Sequence, residues 1–179
     1  IEEGNKSLVE EIFSKNKIDI DLKNNQGFTL LILAIRSRNK ELVEFLISKG
    51  ADVNAKDKDN YTPLVASISG FLDDITMLLV SKGAKVDIIN ENIGTPLIYV
   101  LSRKLYYELP DKDKEDKIKL VKFLINNGAN VNFENESSKE NKETPLIAAI
   151  SSCDKKMVEL IISKGANVNY ESKSGNTPL

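Results

Sequence analysis

Histidine is missing from this 179-residue sequence, and cysteine occurs once, at Cys153. Without histidine the chain lacks the commonest general base of enzymes and the commonest ligand of protein-bound zinc. A single cysteine forms neither an internal disulfide nor a cysteine metal cluster, and without a basic partner it is not an activated nucleophile. These absences argue against zinc enzymes and against hydrolases that use a Ser–His or Cys–His pair.

Sequence patterns that hold cofactors are also lacking. Neither of the glycine-rich phosphate loops, GxGxxG and GxxxxGK(S/T), occurs, and there is no Gly-x-Ser-x-Gly nucleophile elbow. The run DKDKED at 111–116 has the alternating carboxylates of a calcium loop, but it lacks the central glycine and the glutamate at the twelfth position. We interpret it as a solvated charge run. We therefore expect no catalytic residue, no metal site, no cofactor and no enzyme activity within this chain.

Long apolar runs and an excess of positive charge are absent as well. No stretch approaches the ~20 apolar residues of a membrane-spanning helix, so we expect no membrane insertion. The formal net charge is −2, whereas proteins that bind duplex nucleic acid usually carry a basic face. Hydrophobic residues make up 41% of the chain, which is enough for a core. We expect a monomer that does not bind nucleic acid, and the composition fits a cytoplasmic, periplasmic or secreted protein.

Two markers recur along the chain with a common period. The tripeptide Thr-Pro-Leu, or its near-copy Thr-Leu-Leu, begins at Thr29, Thr62, Thr95, Thr144 and Thr177. Segments such as SKGADVN and NNGANVN place glycines at Gly50, Gly83, Gly128 and Gly165. Most Thr-Pro-Leu steps are 33 residues, and a fixed period of this size is typical of a solenoid.

Each period is predicted to be a helix, a turn, a second helix and a loop. In the unit that begins at Thr62, the threonine hydroxyl can cap a helix and Pro63 suits its first position. The second helix is predicted over Ile75–Ser81, and Gly83 ends it in a left-handed conformation. A single unit cannot bury its apolar face alone, whereas stacked units bury a continuous core.

The repeated segments resemble the ankyrin-repeat family, whose units have a 33-residue period and a Thr-Pro-Leu-His-x-Ala signature. The segment GFTLLILAIRSRNKELVEFLISKGADVNAKDKDNYTPL (27–64) carries the resemblance most clearly. It implies an all-α ankyrin-repeat solenoid of stacked helix-turn-helix units with β-turn or hairpin loops. The whole chain, 1–179, would form one domain. Its units would be a partial one at 1–26, full ones at 27–59, 60–92, 93–141 and 142–174, and the start of another at 175–179, so both ends suggest a fragment.

The sequence departs from the family pattern at the signature histidine. Ile32, Val65, Ile98 and Ile147 stand at that position. The family's histidine usually forms hydrogen bonds near the loop, so we expect loop bracing here to depend more on packing. Asn60 replaces the usual loop glycine, and asparagine tolerates the left-handed conformation.

The unit at 93–141 contains two insertions. Twelve extra residues lie between its helices, where 101–109 is predicted to lengthen the first helix and DKDKEDK to form a solvated connection after Pro110. Four extra residues lengthen the polar loop NFENESSKENKE. One interpretation of both insertions is neutral length variation in surface loops, which costs little free energy. The alternative is that Tyr106 and Tyr107 contact a partner.

The family resemblance implies a protein partner, bound on the concave surface of loop tips and first helices. Phe28 and Tyr61 occupy equivalent tip positions one repeat apart, so they would lie side by side. Arg36 and Ser69 end neighbouring first helices, and Lys58 lies at the second tip. Aromatic residues and arginine dominate binding hot spots. The alternative is that the two rings only brace the loops. A further alternative for function is that this stack regulates or targets a larger enzyme or secreted effector whose catalytic domain lies outside the chain.

Overall fold

The computed structural model describes residues 19–90, 92–102, 111–134 and 143–170, together with Glu11. The chain divides into two compact units, Ile1–Lys85 and Val86–Leu179, and each unit is described by itself. Within the described residues there are eight helices and no strand, only isolated antiparallel bridges between Lys23 and Thr29 and between Asn90 and Gly94. This is the predicted all-α fold with short hairpin-like loops.

The first unit contains two helical hairpins. Helices α1 (Leu30–Arg36) and α2 (Lys40–Ser48) form one hairpin, and helices α3 (Pro63–Ser69) and α4 (Asp73–Ser81) form the other. The two members of each hairpin pack together, and α1 also packs on α3. The first helices of successive repeats therefore lie side by side.

The second unit repeats this arrangement with one longer helix. It contains α5 (Pro96–Ser102), α6 (Asp111–Asn126), α7 (Pro145–Ser151) and α8 (Lys155–Ser163). Helix α5 packs on α6 and α7, and α7 packs on α8. Helix α6 has 16 residues, whereas the other second helices have nine.

The predicted connection DKDKEDK is wrong, because these residues form the first two turns of α6. Lysine and glutamate are good helix formers, so charge alone does not prevent a helix here. The run is not fully solvated either: Lys117 is 4% exposed, and its Nζ donates to the carbonyl of Leu101 at 3.4 Å. Helix α5 ends at Ser102. The predicted lengthening over 101–109, with Tyr106 and Tyr107, falls largely on 103–110, outside the described residues.

Buried threonines begin the first helices, as predicted. The hydroxyls of Thr62 and Thr144 each accept the backbone N–H three residues on, at 3.2 Å, and a proline follows each of them. Thr29 and Thr95 form the same bond at 3.4 and 3.3 Å. The donors are the N–H groups of the residues that replace the family's histidine, and three of these side chains, Ile32, Val65 and Ile98, are fully buried.

The second helices end as predicted, but one of them begins earlier. Gly50, Gly83, Gly128 and Gly165 have φ between 90° and 97°, the left-handed region that ordinary residues avoid. Helix α4 starts at Asp73 rather than at Ile75. Its N-cap, Leu72, has no side-chain acceptor, and Asp73 and Asp74 supply negative charge at the helix N-terminus instead.

The core lies between the helices of each hairpin and between neighbouring first helices. Leu46, Leu79, Leu124 and Ile161, one from each second helix, are at most 1% exposed. A polar pair is buried among them: the hydroxyls of Ser67 and Thr76 are 2.8 Å apart and one donates to the other, and the carbonyls of Leu64 and Leu72 lie 2.9 Å from Ser67 Oγ and 3.0 Å from Thr76 Oγ1. The buried residues of the described part are otherwise mostly apolar, with polar exceptions such as Asn90 and Lys117.

None of the helices in the described part of the chain is long and apolar enough to cross a membrane.

Candidate functional site

Two neighbouring loop tips of the first unit are closed by side-chain hydrogen bonds. The Asn24 side-chain oxygen accepts the N–H groups of Gln26 and Phe28, at 3.0 and 2.9 Å. One repeat on, Asp57 Oδ1 accepts the N–H groups of Asp59 and Tyr61, at 3.0 and 2.7 Å. The expectation that packing replaces the missing histidine is thus incomplete, because an Asn or Asp at the start of each loop provides hydrogen bonds to its backbone.

Backbone geometry also holds these two tips in place. Gly27 has φ +85°, and Asn60, at the equivalent place, has φ +58°, as predicted for an asparagine in the glycine's position. A Cβ at Gly27 would lie 3.2 Å from the Cβ of Asp57. The Lys23 ammonium donates to the carbonyl of Lys56 at 2.8 Å. The tips are therefore in close contact, and each presents its last residue from a fixed backbone.

These last residues are Phe28 and Tyr61, and their rings meet. The ring centroids are 6.1 Å apart and the planes are inclined at 55°, a tilted arrangement typical of attractive aromatic pairs. Both side chains are half-buried. The prediction that the two aromatics lie side by side is confirmed, and part of the pair is exposed to solvent.

Arg36, the last residue of α1, joins this pair. Its guanidinium carbon lies 4.8 Å from the centroid of the Phe28 ring, within the range of a cation–π interaction. Among the described residues, Arg36 is the one cation that stacks on either ring. Lys58 is exposed in the same loop as Tyr61, and half-buried Ser69 ends α3 at the position equivalent to Arg36. The structure therefore brings three of the predicted site residues into one contact, and Lys58 lies outside it.

Sequence reasoning missed Arg38, which lies two residues beyond Arg36. Its backbone is left-handed, with φ +59°, and its Nη2 donates to the carbonyl of Gly70, the C-cap of α3, at 3.1 Å. Leu33 of α1 also remains 38% exposed. The Arg-x-Arg spacing at the end of α1 was the signal that could have identified Arg38. We group the contacting residues Phe28, Arg36 and Tyr61 with Leu33 and Arg38, which lie on and just after the same helix, and call these five residues the aromatic–arginine cluster.

A second set of missed contacts ties successive repeats together. The Asn54 side chain accepts the N–H of Lys85 at 2.8 Å and donates to the carbonyl of Gly83 at 3.0 Å. Asn132 forms the equivalent pair of bonds in the second unit, to Asn167 and Gly165. The signal was visible as the last residue of the GADVN-type segments. These side chains are committed to the scaffold, so we do not assign them to partner binding.

In the second unit, one of the tip positions that carry aromatic rings in the first unit forms a polar contact with the end of a first helix. Glu143, at the tip position before Thr144, accepts the hydroxyl of Ser102 at 3.0 Å. Cys153 is a free, exposed thiol in the turn before α8, with φ +51°. Within the described residues no cluster of three His, Cys, Asp or Glu side chains is placed to hold a metal ion.

Comparison with known protein families agrees with the repeat pattern. A family model described as ankyrin repeats (three copies) matches residues 1–103 and 113–179. The unmatched residues, 104–112, lie within the predicted twelve-residue insertion. A search of curated proteins returned no match. Ankyrin repeats are generally non-catalytic modules of protein–protein interaction. Because the match spans nearly the whole sequence, the chain belongs to the ankyrin-repeat family.

Proposed function

We propose that this chain is a non-enzymatic, monomeric module that binds a protein partner, with the aromatic–arginine cluster as its main contact site. Nucleic acid is not part of the proposal, since the net charge is −2. The absence of histidine from the sequence supports a binding role over a catalytic one.

The stack of Arg36 on Phe28 beside Tyr61 is the observation that carries the proposal. Aromatic residues and arginine are enriched in binding hot spots, and aromatic rings bury a large area while losing little conformational freedom on binding. Here the loop hydrogen bonds hold the aromatic residues before any partner arrives. A preformed surface reduces the entropy lost on association.

Loop bracing is the competing explanation of the same contact. Two aromatic rings in a tilted pair stabilise a fold by about 0.5–1.5 kcal/mol beyond their buried area. The same residues can brace the loops and bind a partner, so stability alone does not distinguish the roles. The distinguishing measurement is partner capture by a variant that remains folded.

The test is the double variant Phe28→Ala with Tyr61→Ala. Partners are captured from a lysate of the native host with the full chain as bait, and urea unfolding is followed on the same proteins. We expect the captured partner to bind at least about thirtyfold more weakly, since hot-spot truncations cost roughly 2 kcal/mol or more.

Phe45→Ala is the matched control. Phe45 is also half-buried and also lies beneath a cation, with the Lys49 ammonium 5.4 Å from its ring centroid, but it belongs to α2. The control should lose stability and keep its partner. If the double variant loses stability and still captures the partner, only the bracing role remains.

A further inference from the structure

Two arginines at the end of α1 have no acidic partner among the described residues. Arginine occurs three times in the sequence, at 36, 38 and 103, so two of the three lie two residues apart at the end of α1. Neither Arg36 nor Arg38 forms an ion pair with a carboxylate of the described residues. Arg36 stacks on Phe28, and Arg38 uses one N–H donor on the carbonyl of Gly70. A guanidinium carries further donors in a rigid fork, and at both residues these remain available to a ligand.

Both guanidinium groups are held in place by their contacts. The ring of Phe28 supports Arg36, and the carbonyl at the end of α3 anchors Arg38. Both residues are exposed at these contacts. Arginine forks match carboxylates with two parallel hydrogen bonds, and an anchored fork loses less freedom when that match forms.

Apolar surface lies beside these charges. Phe28 and Tyr61 are half-buried, and Leu33 on the same helix as Arg36 is 38% exposed. An occupant that satisfies the whole cluster needs carboxylates for the arginines and a large apolar side chain for the rings. We infer that the partner presents a short acidic segment, in which an aromatic or large aliphatic residue is flanked by Asp or Glu.

This inference rests on the proposed function and adds the chemistry of the partner. A nucleic-acid strand also offers anions and flat apolar groups, and it is the main rival occupant. In the neighbouring tip Asp57 and Asp59 offset the charges of Lys56 and Lys58, so the tip adds no net positive charge along which a phosphate backbone could run. A short peptide places its charges only where the arginines lie, so complementarity favours the peptide.

The experiment uses the full chain as bait for a library of random twelve-residue peptides displayed on phage. Peptides enriched on the parent protein are sequenced, synthesised with a fluorescent label and titrated. We expect an excess of Asp and Glu on either side of an aromatic or large aliphatic residue. Binding should weaken as salt is raised, because the charged contacts are exposed and screened.

Three variants are then compared with the parent. Arg36→Gln with Arg38→Gln should weaken the enriched peptides roughly three- to thirtyfold, as expected for losing two exposed ion pairs. Arg36→Lys with Arg38→Lys should fall between that variant and the parent, because the charge remains and the bidentate geometry is lost. Lys49→Gln with Lys82→Gln, on exposed residues at the ends of α2 and α4, removes the same charge and should leave binding unchanged. Thermal unfolding confirms that each variant is folded.

The outcomes separate this inference from the proposed function. The enriched peptides can lose binding to the variant with Phe28→Ala and Tyr61→Ala and yet show no excess of acidic residues, or bind the arginine variants as tightly as the parent. Either result overturns the inference and supports the proposed binding site. The absence of enriched peptides, or peptides that ignore both sets of variants, overturns both. A dT12 single strand that binds the parent more tightly than the best peptide overturns the acidic-segment proposal in favour of nucleic acid.

Discussion

At the scale of single residues, burial rather than hydrophobicity separates neighbours on one helix. Leu79 and Met77 both lie on α4 and both are apolar, yet Leu79 is fully buried and Met77 is 38% exposed. The run ITMLLV at 75–80 is apolar at nearly every position, so hydrophobicity alone does not show which side of the helix is buried. One side of the helix remains open to solvent at Met77.

Leu79→Ala should lower the free energy of unfolding by about 2–5 kcal/mol, because truncation of a buried leucine loses apolar contact and leaves a cavity. Met77→Ala on the same helix should cost less than about 1 kcal/mol, since much of its side chain is already solvated. Urea unfolding of both variants measures the difference. Equal midpoints for Leu79→Ala and the parent would show that the repeat positions are assigned incorrectly.

At the scale of the element, the last turn of each second helix depends on backbone conformation. The carbonyls of that turn are reached by the N–H groups of the glycine and of the alanine after it. The N–H of Gly83 donates to the carbonyl of Val80 at 3.0 Å, and the N–H of Ala84 donates to the carbonyl of Leu79 at 2.9 Å. The chain reverses here only if the glycine position is left-handed.

Gly83→Ala should destabilise the protein by roughly 1 kcal/mol, the conformational penalty of a left-handed L-residue. A Cβ built at Gly83 meets no heavy atom within 4 Å, so the loss reports the backbone alone. Lys82→Ala, one residue earlier at φ −96°, is the control and should have little effect. A Gly83→Ala variant as stable as the parent would contradict the left-handed assignment.

At the scale of the whole molecule, each unit is held together by its stacked helices and by hydrogen bonds between successive loops. Asn54 bonds Lys85 and Gly83 in the first unit, and Asn132 bonds Asn167 and Gly165 in the second. Stability in such arrays is approximately a sum of terms within repeats and terms between neighbours. These side chains contribute to the terms between neighbours.

Asn54→Ala should speed hydrogen exchange at the Lys85 amide and leave the Asn167 amide unchanged, because Asn167 receives its equivalent bond from Asn132. The free energy of unfolding should fall by about 1 kcal/mol, the net contribution of one or two hydrogen bonds that water partly replaces. Asn54→Asp keeps the acceptor for Lys85 and loses the donor to Gly83, so it should restore protection at Lys85. Unchanged exchange at Lys85 in the alanine variant would remove the proposed role.

Much of the fold could be predicted from the sequence because it depends on local chemistry. The threonine caps, the prolines after them and the capping glycines affect only backbone groups a few positions away in the sequence. They appear where predicted. The start of α6 was mispredicted because a charged run was interpreted as a connection, although lysine and glutamate form helices readily. The early start of α4 was missed because no capping side chain marks Leu72.

The candidate site was predictable in part. Phe28 and Tyr61 occupy equivalent tip positions 33 residues apart. A fixed repeat period places equivalent residues of successive repeats next to each other, so their contact was predictable. Tyr106 and Tyr107 lie outside the described residues, so their contact with a partner stays a prediction. Arg38 was missed because its partner is a backbone carbonyl of the next repeat, a contact that the Arg-x-Arg spacing alone does not indicate.

The sequence by itself determined the repeat period, the helix boundaries marked by Thr-Pro and glycine, and the family, because each follows from short-range propensity repeated at a constant interval. Only the tertiary structure decided that Arg36 stacks on Phe28 and that Arg38 reaches Gly70. The contact between Arg38 and Gly70 joins groups from neighbouring repeats, and its distance depends on how α1 packs against α3. That packing sets angles and separations of a few ångströms, and such separations decide whether a guanidinium is paired or remains available to a partner.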